Sequence, residues 1–106
     1  MGLLVICAFR PRKGKEQGLH GVIREHMPTL RSQNLITDRK PVVGRAADGT
    51  IIEVFEWKNK EAVDEAHRNP VVRKLWDRFE ACSEYISLRD VPETMSPFPN
   101  FEPVDT

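Results

Sequence analysis

The sequence predicts an α+β fold, an antiparallel sheet with its helices gathered on one face. Three observations carry that expectation. The apolar pattern changes period along the chain in the order strand, helix, strand, strand, helix, strand. The turn signal Ala47-Asp48-Gly49-Thr50 joins the two middle strands directly, so they must run antiparallel. The third is the stretch Thr50 to Trp57, β-branched and aromatic apart from two glutamates. Ile51, Glu53, Phe55 and Trp57 share one side of it, and Thr50, Ile52, Val54 and Glu56 the other. Both sides carry large apolar groups, so neither is made for bulk water.

Leu3 to Phe9 is a continuous apolar run, the pattern of a central strand covered on both sides, and Arg10-Pro11 ends it. Helix one is expected over Glu16 to Ser32, with Leu19, Val22, Ile23, Met27 and Leu30 on one stripe. Pro28 lacks a backbone N–H and is expected to kink this helix or end it early. Strand two is expected over Leu35 to Arg45. Its polar residues and Pro41 make it an edge strand. The Asp48-Gly49 pair suits the positive φ of a type I′ hairpin turn.

Asn59 is a good N-cap for helix two. Asn69-Pro70, a favoured cap and a favoured first helical residue, interrupts it and restarts a segment burying Val72, Leu75, Trp76 and Phe79. Strand four is expected over Glu84 to Arg89. The domain is expected over residues 1–91, followed by an extended proline-rich tail over 92–106 whose Phe98 and Phe101 lie against a surface.

Composition bounds the function. The 106 residues suffice for one domain, with 40% hydrophobic side chains for its core. Sixteen basic and sixteen acidic side chains cancel, which leaves no excess charge to draw nucleic acid or an anionic membrane. The basic cluster Arg10 to Lys15 reads as a solvated loop. No apolar run reaches the length of a membrane span and no signal peptide is recognisable, so a cytoplasmic protein is expected. Cys7 and Cys82 form neither a CxxC pair nor a disulfide framework, and read as reduced packing residues.

The order βαββαβ is that of a ferredoxin-like sheet, with strands one and three central and two helices on one face. Cover for one face leaves the large apolar groups of the other exposed, a patch that soluble monomers rarely tolerate. A homodimer packed sheet on sheet is therefore expected.

The segment Val54-Phe-Glu-Trp57-Lys-Asn-Lys-Glu-Ala62, followed by Glu65-Ala-His67-Arg-Asn-Pro70-Val-Val, resembles the antibiotic biosynthesis monooxygenase (ABM) family of the dimeric α/β-barrel superfamily. A strand ending in Trp, a polar cap, and an Ala-His pair shortly before a helix-restarting Pro carry the likeness. The placement of Pro28-Thr29 adds to it, and the likeness spans about residues 3–90. The resemblance implies a dimeric α/β barrel. For function it implies a cofactor-independent oxygenase acting on quinols or polycyclic aromatics, a haem-degrading enzyme or an isomerase. In the cofactor-free oxygenases it implies that Trp57 lines the substrate cavity. Other positions depart from the family. Glu53 stands at the place of a catalytic Asn, Val63 near that of a Tyr, and Trp76, with Arg73 beside it, near that of an Arg. The haem-binding pattern also fails, at Trp76, Cys7 and Ala66, so haem is not expected.

Two residues are the candidate catalytic groups. An imidazole can take or hand over a proton near neutral pH, so His67 suits proton transfer. Glu53 is an acid among apolar neighbours, either a base in the cavity or the partner of an arginine such as Arg39 or Arg89. Trp57, Phe55, Tyr85 and Trp76 are the candidate substrate-binding residues. His20 and His26 stand six apart, on different sides of helix one, and form no metal pair, so neither a metal nor any other cofactor is expected. The expected function is cofactor-independent oxidation of a small aromatic or quinol-type substrate. A non-catalytic dimer that binds a small apolar molecule, or an isomerase on the same fold, is the alternative.

Overall fold

A computed structural model describes residues 2–106; Met1, the first residue of the expected domain, lies outside the described residues. The described residues form a five-stranded antiparallel sheet with three α-helices. In order these are β1 (Leu3–Pro11), α1 (Glu16–Ser32), β2 (Val42–Arg45), β3 (Ile51–Trp57), α2 (Lys60–Arg68), α3 (Pro70–Cys82), β4 (Ser83–Tyr85) and β5 (Glu102–Pro103). The strand order is β4-β1-β3-β2-β5, so the two most apolar strands are central, as a ferredoxin-like arrangement requires.

Register sets the faces. Val5 pairs with Phe55, Cys7 with Glu53 and Phe9 with Ile51, and these side chains turn toward the helices. Leu19, Val22, Ile23, Met27 and Leu30 of α1 pack onto them with Val72, Leu75 and Phe79 of α3. Each helix start has a physical cause. The Asn59 side chain accepts the Ala62 N–H at 2.8 Å, and Asn69 accepts those of Val71 and Val72 at 2.9 and 3.2 Å. Pro70 takes the first position of α3, where its missing N–H costs nothing.

Several expectations need correction. Helix α1 runs through Pro28 to Ser32, because the exposed ring sits in the last turns and interrupts one solvent-side bond. Strand two does not extend from Leu35. Leu35 and Ile36 drop into the core, Ile36 makes one bridge to Trp57, and regular pairing begins at Val42, past Pro41. Nor is β2 an edge, since β5 pairs with it at Gly44 and Arg45. The hairpin turn has positive φ at Gly49 alone (91°), so it is not type I′, which needs two such residues. Strand four stops at Tyr85, and the chain then leaves the sheet through short 3-10 turns at Leu88–Asp90 and Pro92–Met95.

Within the segment over 92–106, Phe101 to Val104 return to the sheet. Val91 is fully buried with Ala8, Ala46 and Ile52 on the face away from the helices, and Ile86, Leu88 and Phe101 pack around them. Val104 N–H bonds to Val43 O at 2.9 Å, and Arg45 pairs with Glu102 at 2.8 Å. Phe101 lies against the sheet as expected, whereas Phe98 stands in solvent. The cover is partial. On the same face Leu4 (65% exposed), Ile6 (51%) and Val42 (68%) remain open.

Candidate active site

A cavity of about 330 Å³ opens between β1, β3, α2 and α3. Val5, Phe9, Phe55, Trp57, Trp76 and Phe79 give it apolar walls. Five consecutive β1 residues, Val5 to Phe9, border it. Successive side chains point to opposite faces, so such a run borders one space only along the strand's edge. That edge is free before Ala8, because β4 pairs with β1 at Phe9, Arg10 and Pro11 and Ile86 N–H then bonds to Ala8 O at 3.0 Å. The early departure of β4 from the sheet thus opens the cavity at the sheet margin.

The polar groups are few. His26 of α1 lines the cavity, yet only 4% of its surface is exposed. Its Nδ1 lies 2.6 Å from Glu53 Oε1, and the acid is 1% exposed. When the carboxylate is ionised it has no hydrogen to give, so His26 Nδ1 is then the donor and in the neutral ring Nε2 keeps a lone pair. Phe55, Phe79 and Phe9 meet the imidazole edge to face, with ring centroids 5.4, 4.9 and 6.5 Å away. These contacts hold the ring plane and keep the pair dry. Glu53 Oε2 is buried with no hydrogen-bond partner. This carboxylate is underserved while its histidine is neutral, and gains most when Nε2 takes a proton and the ring becomes cationic. The arrangement is that of a general base oriented from behind by an acid.

The residues singled out in the sequence distribute unevenly around this pair. Trp57 and Phe55 are buried and line the cavity, 5.2 Å apart and edge to face. Trp76 and His67 line it too, with ring centroids 5.1 Å apart, and His67 is exposed. Tyr85 lies at the rim, where its hydroxyl donates to Trp76 O at 3.3 Å. Burial, helped by the charges of Glu80 and Asp77, pushes its phenol up to about 12, so it stays a neutral donor. Cys7 also borders the cavity. Desolvation, then the charge of Glu53, raises its thiol to about 12, which makes it a packing group and not a nucleophile.

Two expectations for Glu53 change. It does not border the cavity; it stands behind His26. Its partner is neither Arg39 nor Arg89, and Arg39 pairs instead with Glu56 at 3.1 Å on the other face. The histidine itself was absent from the candidates. The signal was there: positions 19, 22, 23, 26, 27 and 30 form one helical stripe, and His26 is its only polar member. Among the described residues no group of three His, Cys, Asp or Glu is placed to hold a metal, and no helix is long and apolar enough to cross a membrane.

No family model, no curated protein and no solved structure matches this chain.

Proposed function

We propose that this chain is a cofactor-independent monooxygenase of the ABM type, oxidising a small aromatic or quinol-type substrate in the cavity. The observation that carries the proposal is the His26 imidazole, held by buried Glu53 at 2.6 Å on the wall of an apolar cavity. The oxygenation half of the proposal rests on the sequence resemblance, and the proton-transfer half on this geometry.

His26 Nε2 takes the proton of an acidic phenol, or of a carbon flanked by an aromatic ketone. The resulting cation is stabilised by Glu53, while the substrate anion is left in a space without water. That anion passes one electron to molecular oxygen, and the two radicals combine to form a carbon–oxygen bond. His26 returns its proton to the peroxide as the O–O bond breaks. For an anthrone-like CH₂ group, the remaining C–H proton is lost in the same step, so that one oxygen atom becomes the new carbonyl. The other, carrying the proton from His26, leaves as hydroxide and takes up the C–H proton to become water. Trp57, Phe55 and Trp76 form the walls that receive the ring system. The catalytic base is thus reassigned from His67 and Glu53 to His26, with Glu53 as its positioning residue.

A homodimer belongs to the same proposal. Leu4, Ile6 and Val42, each more than half exposed, form with Val54 an apolar area on the sheet face that the helices do not cover. A second copy packed there would produce the expected barrel.

The test is oxygen uptake with a panel of hydroquinones and anthrones. The wild type should consume oxygen with at least one member, and His26→Gln should be slower by roughly 100-fold or more. Wild-type rates in His26→Gln would overturn the assignment. Turnover that needs no oxygen would favour an isomerase, and tight binding without turnover a carrier.

A further inference from the structure

We propose that His67 is a second substrate-binding imidazole, so that the cavity takes a flat aromatic molecule with a hydroxyl at each end. The inference rests on reading the cavity as a proton-abstracting site, and goes beyond it by naming the shape and polarity of the substrate.

The observation is that both histidines bordering the cavity are tied through the same nitrogen. His26 Nδ1 bonds to Glu53 at 2.6 Å, and His67 Nδ1 lies 2.8 Å from Val63 O. A carbonyl oxygen only accepts, so His67 Nδ1 carries a hydrogen, and in the neutral ring the lone pair is on Nε2. The local sequence explains the position. His67 lies in the last turn of α2, four residues after Val63, and its bond to that carbonyl lies within the helix. Asn69 then caps α3, which brings Trp76 against the imidazole edge to face at 70°. That contact fixes the ring's tilt. The ring therefore borders the cavity with its second nitrogen uncommitted.

The two imidazoles differ in setting. His26 is buried and His67 is exposed, and both border the cavity. The rest of the lining includes Val5, Phe55, Trp57, Trp76 and Phe79, with the protonated Cys7 thiol and the Tyr85 hydroxyl as polar exceptions. A ligand that satisfies both nitrogens is polar at its two tips and apolar along its length. The volume of about 330 Å³ is near the lower end for small-molecule sites, which limits the body to no more than three fused rings. The inner hydroxyl gives its proton to His26. The outer hydroxyl bonds to His67, whose exposure lets a second proton pass to water.

Matched probes test this: 2,6-dihydroxynaphthalene, polar at both tips, and 2-naphthol, polar at one. Side-chain ¹⁵N spectra of the whole protein report each imidazole separately. The diol should shift the Nε2 signals of both His26 and His67, and the naphthol that of His26 alone. His67→Phe should weaken diol binding by about fivefold to tenfold, the worth of one hydrogen bond, and leave naphthol within about twofold. His67→Gln should restore part of the loss. A His67 signal indifferent to the diol overturns the inference, as does an equal loss for both probes, which would make His67 a wall only. In either case the proton-abstraction reading stands if His26 responds. A His26 signal that moves for neither probe overturns that reading and this inference together.

Discussion

The two faces of the sheet are built from the same strands and have opposite fates. On one, Val5, Cys7, Phe9, Glu53, Phe55 and Trp57 lie under helices in a packed, aromatic layer. On the other, Ala8 and Ile52 are covered by the returning tail, while Leu4, Ile6 and Val42 face outward. Alternation along β1 and β3 explains why both faces are apolar, and the helices explain why only one is dry. The covered face also holds the buried acid and its histidine, at the centre of the sheet, where water contributes least screening. The difference teaches how the proposal divides the faces: the cavity belongs to the helix side, and the open side is where the proposed second copy would pack.

The sharpest way to break this comparison is to remove one member of the buried pair. His26→Leu leaves Glu53 inside the core without a partner. Urea unfolding should show a loss of about 3–5 kcal/mol. The double variant His26→Leu/Glu53→Leu should recover much of it, because no charge remains buried. Additive losses would mean that the 2.6 Å contact carries little coupling.

On the opposite face the tail is the element to disturb. A Cβ added at Gly44 would lie 2.9 Å from Phe101 Cβ, so Gly44→Val should push the tail from β2. The cost should be about 1–3 kcal/mol. Hydrogen exchange should also quicken at Val104 N–H, which now bonds to Val43 O. Unchanged exchange would show that the tail yields without leaving.

Cys7 sharpens the contrast in dryness. An ordinary thiol ionises near 9.0, and this one near 12 because burial disfavours its charged form. Between those values the unfolded chain binds fewer protons than the folded one. Stability is therefore whole below pH 9.0 and falls as pH rises toward 12, by up to about 1.4 kcal/mol per pH unit from this group. Cys7→Ala should lose that part of the alkaline slope in urea titrations, and an equal slope in both proteins would contradict a desolvated thiol.

The smallest effect on folding belongs to the open face. Ile6→Lys changes a side chain that is half exposed in a single copy, so stability per chain should move by no more than about 0.5 kcal/mol. Sedimentation velocity should nevertheless show the variant as one copy where the wild type runs as two. A wild type that stays single at high concentration would remove the dimer and leave the cavity account untouched.

Much of this architecture was legible in the residues. Pattern period located α1 over Glu16–Ser32, Asn59 and Asn69-Pro70 marked the helix starts, and the Asp48-Gly49 signal placed the hairpin. Two of the errors share a cause, a partner distant in the chain. Whether β2 is an edge depends on residues 102–103, and the end of β4 on the burial of Val91. The site was half legible for the same reason. Glu53 stood out as an acid among apolar neighbours, and His26 filled a gap in an apolar helical stripe. Each anomaly explains the other, but 27 positions separate them and no local rule joins them.

The most direct test of the account is the tautomer of His26, read from the side-chain ¹⁵N spectrum of the ligand-free protein. The expected result is a neutral ring with hydrogen on Nδ1, a bare Nε2, and a change in that signal on Glu53→Gln. A ring with its hydrogen on Nε2 would contradict the account, since Glu53 would then hold the shared proton and the cavity would face a donor where a base is required.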